Sequence, residues 1–231
     1  MKTLRVILSL PGDVGLEKEA AARVLDRVKT RVAPVAELHT LLWEHDIPAF
    51  ASPPAAGAEP PFLPAQADIV ICLMWSRMGA RPGFAPSRPD GQPYASGTEY
   101  IFEEALRVIR PPNTEGGAHA GPHLAVYIKD APPILPLKPR AERERLAGHA
   151  DYVDQVLAHW TSVPQRPEGP YFLRFRHLDE LLGDVEERLW NAIIAREHGA
   201  EAIRNSPSLP WRFPEQHGSP YRGLLPFEAE Q

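Results

Sequence analysis

The sequence predicts an α/β fold, a mainly parallel sheet of five strands with helices on both faces, and three observations carry that expectation. Short apolar runs alternate with segments of helical period along most of the 231 residues. One run, Asp68–Trp75 or "DIVICLMW", is continuous, rich in β-branched residues and apolar on both faces, the pattern of a central parallel strand. Proline marks the gaps between segments: the 27 prolines are more than twice the usual ~5% and gather at 48–64, 82–93, 111–139 and 207–226.

Leu4–Ser9 is a short apolar run that stops at Pro-Gly, hence a buried first strand. Val14–Val32 carries Val14, Ala21, Val24, Leu25 and Val28 at helical spacing, with Asp13 as the expected N-cap and Glu17 in the next turn. Val35–Trp43 is a second strand, and 44–67 is a Pro/Ala loop with room for one helical turn. After the central strand, 77–95 is a loop and Ser96–Ile109 a helix. Leu124–Ile128 is a fourth strand, Pro139–His159 a charged helix, Tyr171–Phe175 a fifth strand, and Leu178–His198 a long amphipathic helix ending at Gly199. This alternation favours the flavodoxin-like, three-layer order 2-1-3-4-5, in which ligands sit at the carboxyl ends of the strands beside the strand 1/strand 3 switch point. From Asn205 the texture changes to a Pro-rich stretch without periodicity, so the expected division is a domain over 1–204 and a linker over 205–231.

Composition excludes some partners. The formal net charge of -5 argues against a nucleic-acid backbone, which requires a basic face. No apolar stretch approaches the ~20 residues of a membrane helix. The single cysteine, Cys72, lies in the apolar third strand without an intramolecular partner, which fits a reducing, cytoplasmic setting. His39, His45 and His123 make no metal-ligand spacing with cysteine or paired carboxylates, so no metal site and no resident cofactor is expected. "GARPG" and "EGGAHAG" lack both the P-loop Lys-Ser/Thr and the order of a dinucleotide fingerprint.

The switch point gathers the candidate site. Ser9, Gly12 and Asp13 follow strand 1; Trp75, Ser76 and Arg77 follow strand 3; Ser96, Thr98 and Glu99 open the next helix at the same edge. A helix N-terminus and a tight Gly loop are natural phosphate sites. Each residue also has a plainer reading: Gly12 as a turn residue, Asp13 as a cap, Trp75 as packing on the sheet edge, Arg77 as a solvated loop charge, Glu103 and Glu104 as solvated helix face. Glu99 has two. A carboxylate in the first turn complements the helix dipole, or it faces the crevice and takes part in chemistry.

Three motifs in order, "RVILSLPGDVGLEKEAAARVL", "DIVICLMWSRMG" and "DGQPYASGTEYIFEEAL", resemble the Toll/interleukin-1-receptor-like (TIR-like) domain of unknown function found at the front of many bacterial and some animal STAND-type NTPases. The family pattern is a strand, Ser-Ser-Pro-Gly-Asp-Val, a helix with Glu, an apolar strand ending in Trp-Ser-Arg-x-Gly, and Ser-Gly-Thr-Glu-Tyr; here Leu10 stands where the second serine is common. The likeness spans roughly residues 4 to 198. The closing "GSPYRGLLPFEAEQ" resembles the opening segment of the STAND NTPase module, so the NTPase and sensor domains of a longer chain are the expected neighbours.

The resemblance implies one of two functions. Some TIR-like domains cleave the nicotinamide–ribose bond of NAD, and others only assemble with protein partners. In the enzymes, and in similar nucleoside deoxyribosyltransferases, a glutamate at the start of the helix after strand 3 is essential, and Glu99 holds the matching place. The implied roles are Glu99 as the catalytic carboxylate, Ser9, Gly12 and Arg77 at a diphosphate, and Trp75 against a ring, with NAD as substrate and self-association as the trigger. Two alternatives stand beside this: a non-catalytic adaptor, and a nucleoside- or nucleotide-processing transferase.

Overall fold

The sheet has the strand order β2-β1-β3-β4-β5 and every pairing is parallel. Its strands are β1 Lys2–Ser9, β2 Ala36–Leu42, β3 Ile69–Met74, β4 His123–Lys129 and β5 Tyr171–Phe175. In this computed structural model the described residues are 2–34, 36–43, 63–79, 87–109, 121–132, 139–162 and 170–198. They include four α-helices: α1 Gly15–Val32, α2 Gly97–Val108, α3 Arg140–Ser162 and α4 Leu178–His198. A 3-10 turn over Pro64–Gln66 leads into β3.

The register shows why β3 is the keel of the sheet. Ser9 pairs with Cys72 on one side, and Cys72 pairs with Val126 on the other. All six residues of β3 are buried, because successive side chains point to opposite faces and both faces are covered. Ile69, Ile71 and Leu73 pack with α1 and α4 through Val24, Val28, Leu181, Val185 and Leu189. Val70, Cys72 and Met74 pack with α2 and α3 through Ile101, Phe102, Val156, Leu157 and Trp160. Two apolar cores therefore flank the sheet. Cutting the fully buried Ile71 to alanine costs about 2–5 kcal/mol by this geometry. Burial also pushes the Cys72 thiol well above its ordinary range, which makes it inert packing rather than a nucleophile.

The helices differ in how they begin. Ser96, in extended backbone, caps α2: its Oγ accepts from the Glu99 N–H at 3.0 Å. The expected Asp13 cap on α1 is absent. The N-cap residue is Val14 and no side chain caps it, because the Asp13 carboxylate turns instead to Ser76, whose N–H and hydroxyl donate at 2.9 and 2.8 Å. Asp13 thus joins the segment after β1 to the segment after β3.

Residues up to Ile193 form one compact unit. Of the second unit, Ile194–Gln231, the described part is the end of α4. The expected linker over 205–231 and most of the expected loop over 44–67 lie outside the described residues.

Candidate functional site

Glu99 sits in the first turn of α2, at the edge where all five parallel strands end, and is 3% exposed. Its two carboxylate oxygens have different employment. Oε2 accepts from the Ala95 N–H at 2.7 Å. With Ser96 Oγ taking the Glu99 N–H, this is a capping arrangement of the Ser-x-x-Glu type, shifted by one residue on the return bond. Oε1 meets two side chains from elsewhere: the Arg88 guanidinium, as a direct ion pair, and the Tyr152 hydroxyl at 3.2 Å.

Arg88 is carried on a closed turn. Gly91 N–H donates to Arg88 O at 2.9 Å and Arg88 N–H to Gln92 O at 2.8 Å, while Asp90 Oδ1 takes the Gln92 N–H at 2.9 Å. Gly91 has φ +81°, a conformation that suits glycine. Tyr152 comes from α3, where Val153, Val156, Leu157 and Trp160 form the buried stripe and Tyr152 stands at its edge. Burial pushes the Tyr152 phenol up to about 12, and the neighbouring Glu99 charge adds to the shift. The hydroxyl is thereby kept protonated and able to donate.

These groups border a cavity of about 450 Å³ between α2, α3 and the 88–92 turn. Glu99, Glu103, Tyr152, Gln155, His159 and Trp160 are among its lining residues, with Arg88 and Asp90 at the turn. The size lies within the ~300–1,000 Å³ of small-molecule sites. The walls combine carboxylates, one guanidinium and aromatic surface. Trp160 is backed by Phe102, with ring centroids 3.8 Å apart.

The other expected site residues fall into separate groups. Ser9 and Thr98 are buried and share a hydrogen bond of 3.0 Å between their hydroxyls. Asp13 and Ser76 form the clasp described above. Trp75 belongs to the opposite side of the sheet: its Nε1 donates to Ala131 O at 2.7 Å, and Lys129 Nζ lies 4.3 Å from its ring centre. That lysine pairs with the buried Glu17 of α1 at 2.7 Å. Strand alternation explains the placement, since Trp75 follows the parity of Leu73 and turns toward α1 and α4. Gly12 and Arg77 are exposed. Ser9, Gly12, Asp13, Trp75, Ser76, Arg77, Ser96 and Thr98 do not line the Glu99 cavity.

Two expectations are corrected. Glu103 and Glu104 are not solvated helix face; both are partly buried. Glu103 borders the cavity, and Glu104 accepts from the Tyr94 hydroxyl at 2.7 Å and pairs with Arg107 at 2.9 Å. Helix α2 packs along a broad face, so only its Arg107 side is wet. Sequence reasoning also passed over Arg88, Tyr152, Gln155, His159 and Trp160. The spacing of Val153, Val156, Leu157 and Trp160 was the available signal that α3 has an inward face.

Among the described residues no cluster of His, Cys, Asp and Glu is arranged to hold a metal ion, and no helix is long and apolar enough to cross a membrane. No family model and no curated protein matches the chain.

Proposed function

We propose that this chain is a TIR-like effector domain that hydrolyses the nicotinamide–ribose bond of NAD when assembled with further copies of itself in the cytoplasm. The observation that carries the reading is the division of labour at Glu99. The Ala95 N–H fixes one carboxylate oxygen, and the partners of the other, Arg88 and Tyr152, both border the cavity. The three ordered motifs that resemble NTPase-linked TIR-like domains support it independently.

The chemistry suits a lone carboxylate. Nicotinamide leaves as a neutral base, so its departure requires no general acid, unlike an ordinary glycoside flanked by paired carboxyl groups. The C1′–N bond breaks with its electron pair going to the ring nitrogen, and positive charge develops on the ribose. Glu99 stabilises that charge as a fixed anion, or captures C1′ covalently. Water then supplies the oxygen at C1′ and releases one proton, leaving ADP-ribose. Tyr152 acts as a positioning residue through its bond to Glu99. The Tyr152 and Trp160 rings provide the apolar wall for the base.

A second reading has its own observation. A carboxylate that is 3% exposed, with donors on both oxygens, serves well as a helix cap and ion-pair partner, which is all a protein-interaction domain requires of it. Incubating the concentrated chain with NAD, with and without a fused oligomerising tag, and separating the products decides between the two. Nicotinamide and ADP-ribose in equal amounts support hydrolysis. Their absence in the oligomerised protein supports the interaction domain.

A further inference from the structure

We propose that Arg88 is a built-in occupant of a cation subsite beside Glu99, and that a ligand's positive centre must displace it before the cavity can bind. The inference rests on the reading of Glu99 as a group that faces the ligand, and it names what that ligand must carry.

The guanidinium is the sole arginine or lysine among the described residues that line the cavity, against the carboxylates of Asp90, Glu99 and Glu103. With Arg88 in place the Glu99 charge is largely cancelled at contact range. With Arg88 removed, the described lining residues leave three carboxylates and, as the remaining base, His159. A ligand entering there must bring positive charge, and a diphosphate is excluded to the outside by like-charge repulsion. A cationic N-substituted pyridinium satisfies both demands, since it is positive, planar and suited to the Tyr152 and Trp160 walls.

The seat is also an imperfect one for arginine. Arg88 Nε is buried and has no acceptor among the described residues, so the pairing forgoes part of the guanidinium's hydrogen bonding. A permanent structural ion pair would normally satisfy that donor. Arg88 rides on the 88–92 turn; among the described residues the backbone hydrogen bonds of that turn lie within the turn itself, so releasing the Arg88–Glu99 pair breaks no backbone bond of the sheet or of α2. Its guanidinium carbon also lies 5.5 Å from the Tyr94 ring centre, a contact independent of Glu99.

Calorimetric titration of the full chain with two probes tests this: N-methylnicotinamidium, a permanent pyridinium cation, and nicotinamide, its neutral counterpart. Removing the occupant raises the apparent affinity by the reciprocal of the open fraction. Arg88→Ala and Arg88→Gln should therefore bind the cation about tenfold more tightly than the wild type, with the neutral probe changed less than about twofold. Glu103→Gln should weaken the cation and leave the neutral probe alone. Arg88→Gln keeps a donor for Glu99, so it decides the matter if Arg88→Ala does not fold. Equal or weaker cation binding in the Arg88 variants, an equal shift for both probes, or no binding of either probe to any variant overturns the proposal. Cation binding as expected with no NAD turnover by any variant carrying the fused oligomerising tag would instead retire the glycohydrolase reading and leave the displacement standing.

Discussion

The Tyr152 hydroxyl donates to Glu99 Oε1 at 3.2 Å, joining two helices that are separated in the chain by β4. The bond fixes the spacing of α2 and α3 at the mouth of the cavity, and it has a consequence at high pH. Burial first, and the Glu99 charge second, push Tyr152 up to about 12 from 10. Tyr94 and Tyr100 are raised to about 12 as well, with burial again the leading cause, and Tyr127 and Tyr171 are raised too, chiefly by burial. A group whose folded value lies above its unfolded value contributes stability that is complete below about pH 10 and is lost as pH rises through 12. Spectrophotometric titration should therefore show tyrosine ionisation delayed beyond pH 10 and then appearing together with unfolding. Tyr152→Phe should flatten the loss of stability across that window.

Gly97 is held by its neighbour rather than by its backbone. A Cβ there would lie 2.3 Å from Trp43 Nε1 and 3.1 Å from Trp43 Cδ1. Trp43 is 2% exposed and packs on Tyr100 with ring centres 5.5 Å apart, so it has little room to yield. Gly97→Ala should destabilise the fold by about 1–3 kcal/mol through overpacking, despite alanine's better helix propensity. A lowered thermal midpoint checks this, and the wild-type midpoint would show that the ring moves freely.

The Asp13–Ser76 clasp should be legible in a substitution pair. Asp13→Ala removes the acceptor for both the Ser76 N–H and its hydroxyl, at a cost of about 1–3 kcal/mol. Asp13→Asn keeps one acceptor oxygen and should lose less than half as much. Urea denaturation of both variants gives the comparison, and equal losses would mean that the charge, not the hydrogen bonds, does the holding.

Much of this architecture could be read from the chain because its signals are local. "IVICLM" announces a strand buried on both faces, and the stretch from Ser96 announces a helix with Glu99 in its first turn. The alternation of strands and helices then favours the order 2-1-3-4-5 that the sheet has, which places Glu99 at the carboxyl edge. The cavity itself was not legible. Arg88 lies in "SRPDGQP", where a loop arginine reads as solvated, and Tyr152 lies 53 residues beyond Glu99 on a helix dominated by charge. Nothing local tells a phenol that its partner is a distant carboxylate. Topology alone also failed to separate the residues around the switch point. Ser9 met Thr98 and Asp13 met Ser76, while the side-chain parity of β3 sent Trp75 to the other face.

The role of the Glu99 charge is tested most directly by the rate of nicotinamide release from NAD by the oligomerised chain and by Glu99→Gln in the same assembly. Glutamine can still accept the Ala95 N–H, so the cap and the fold should survive while the negative charge is lost. Turnover by the wild type is expected, with a fall of about 10²–10³-fold in the variant, the range for removing a group that stabilises developing charge. Equal turnover by the two proteins would remove Glu99 from the mechanism.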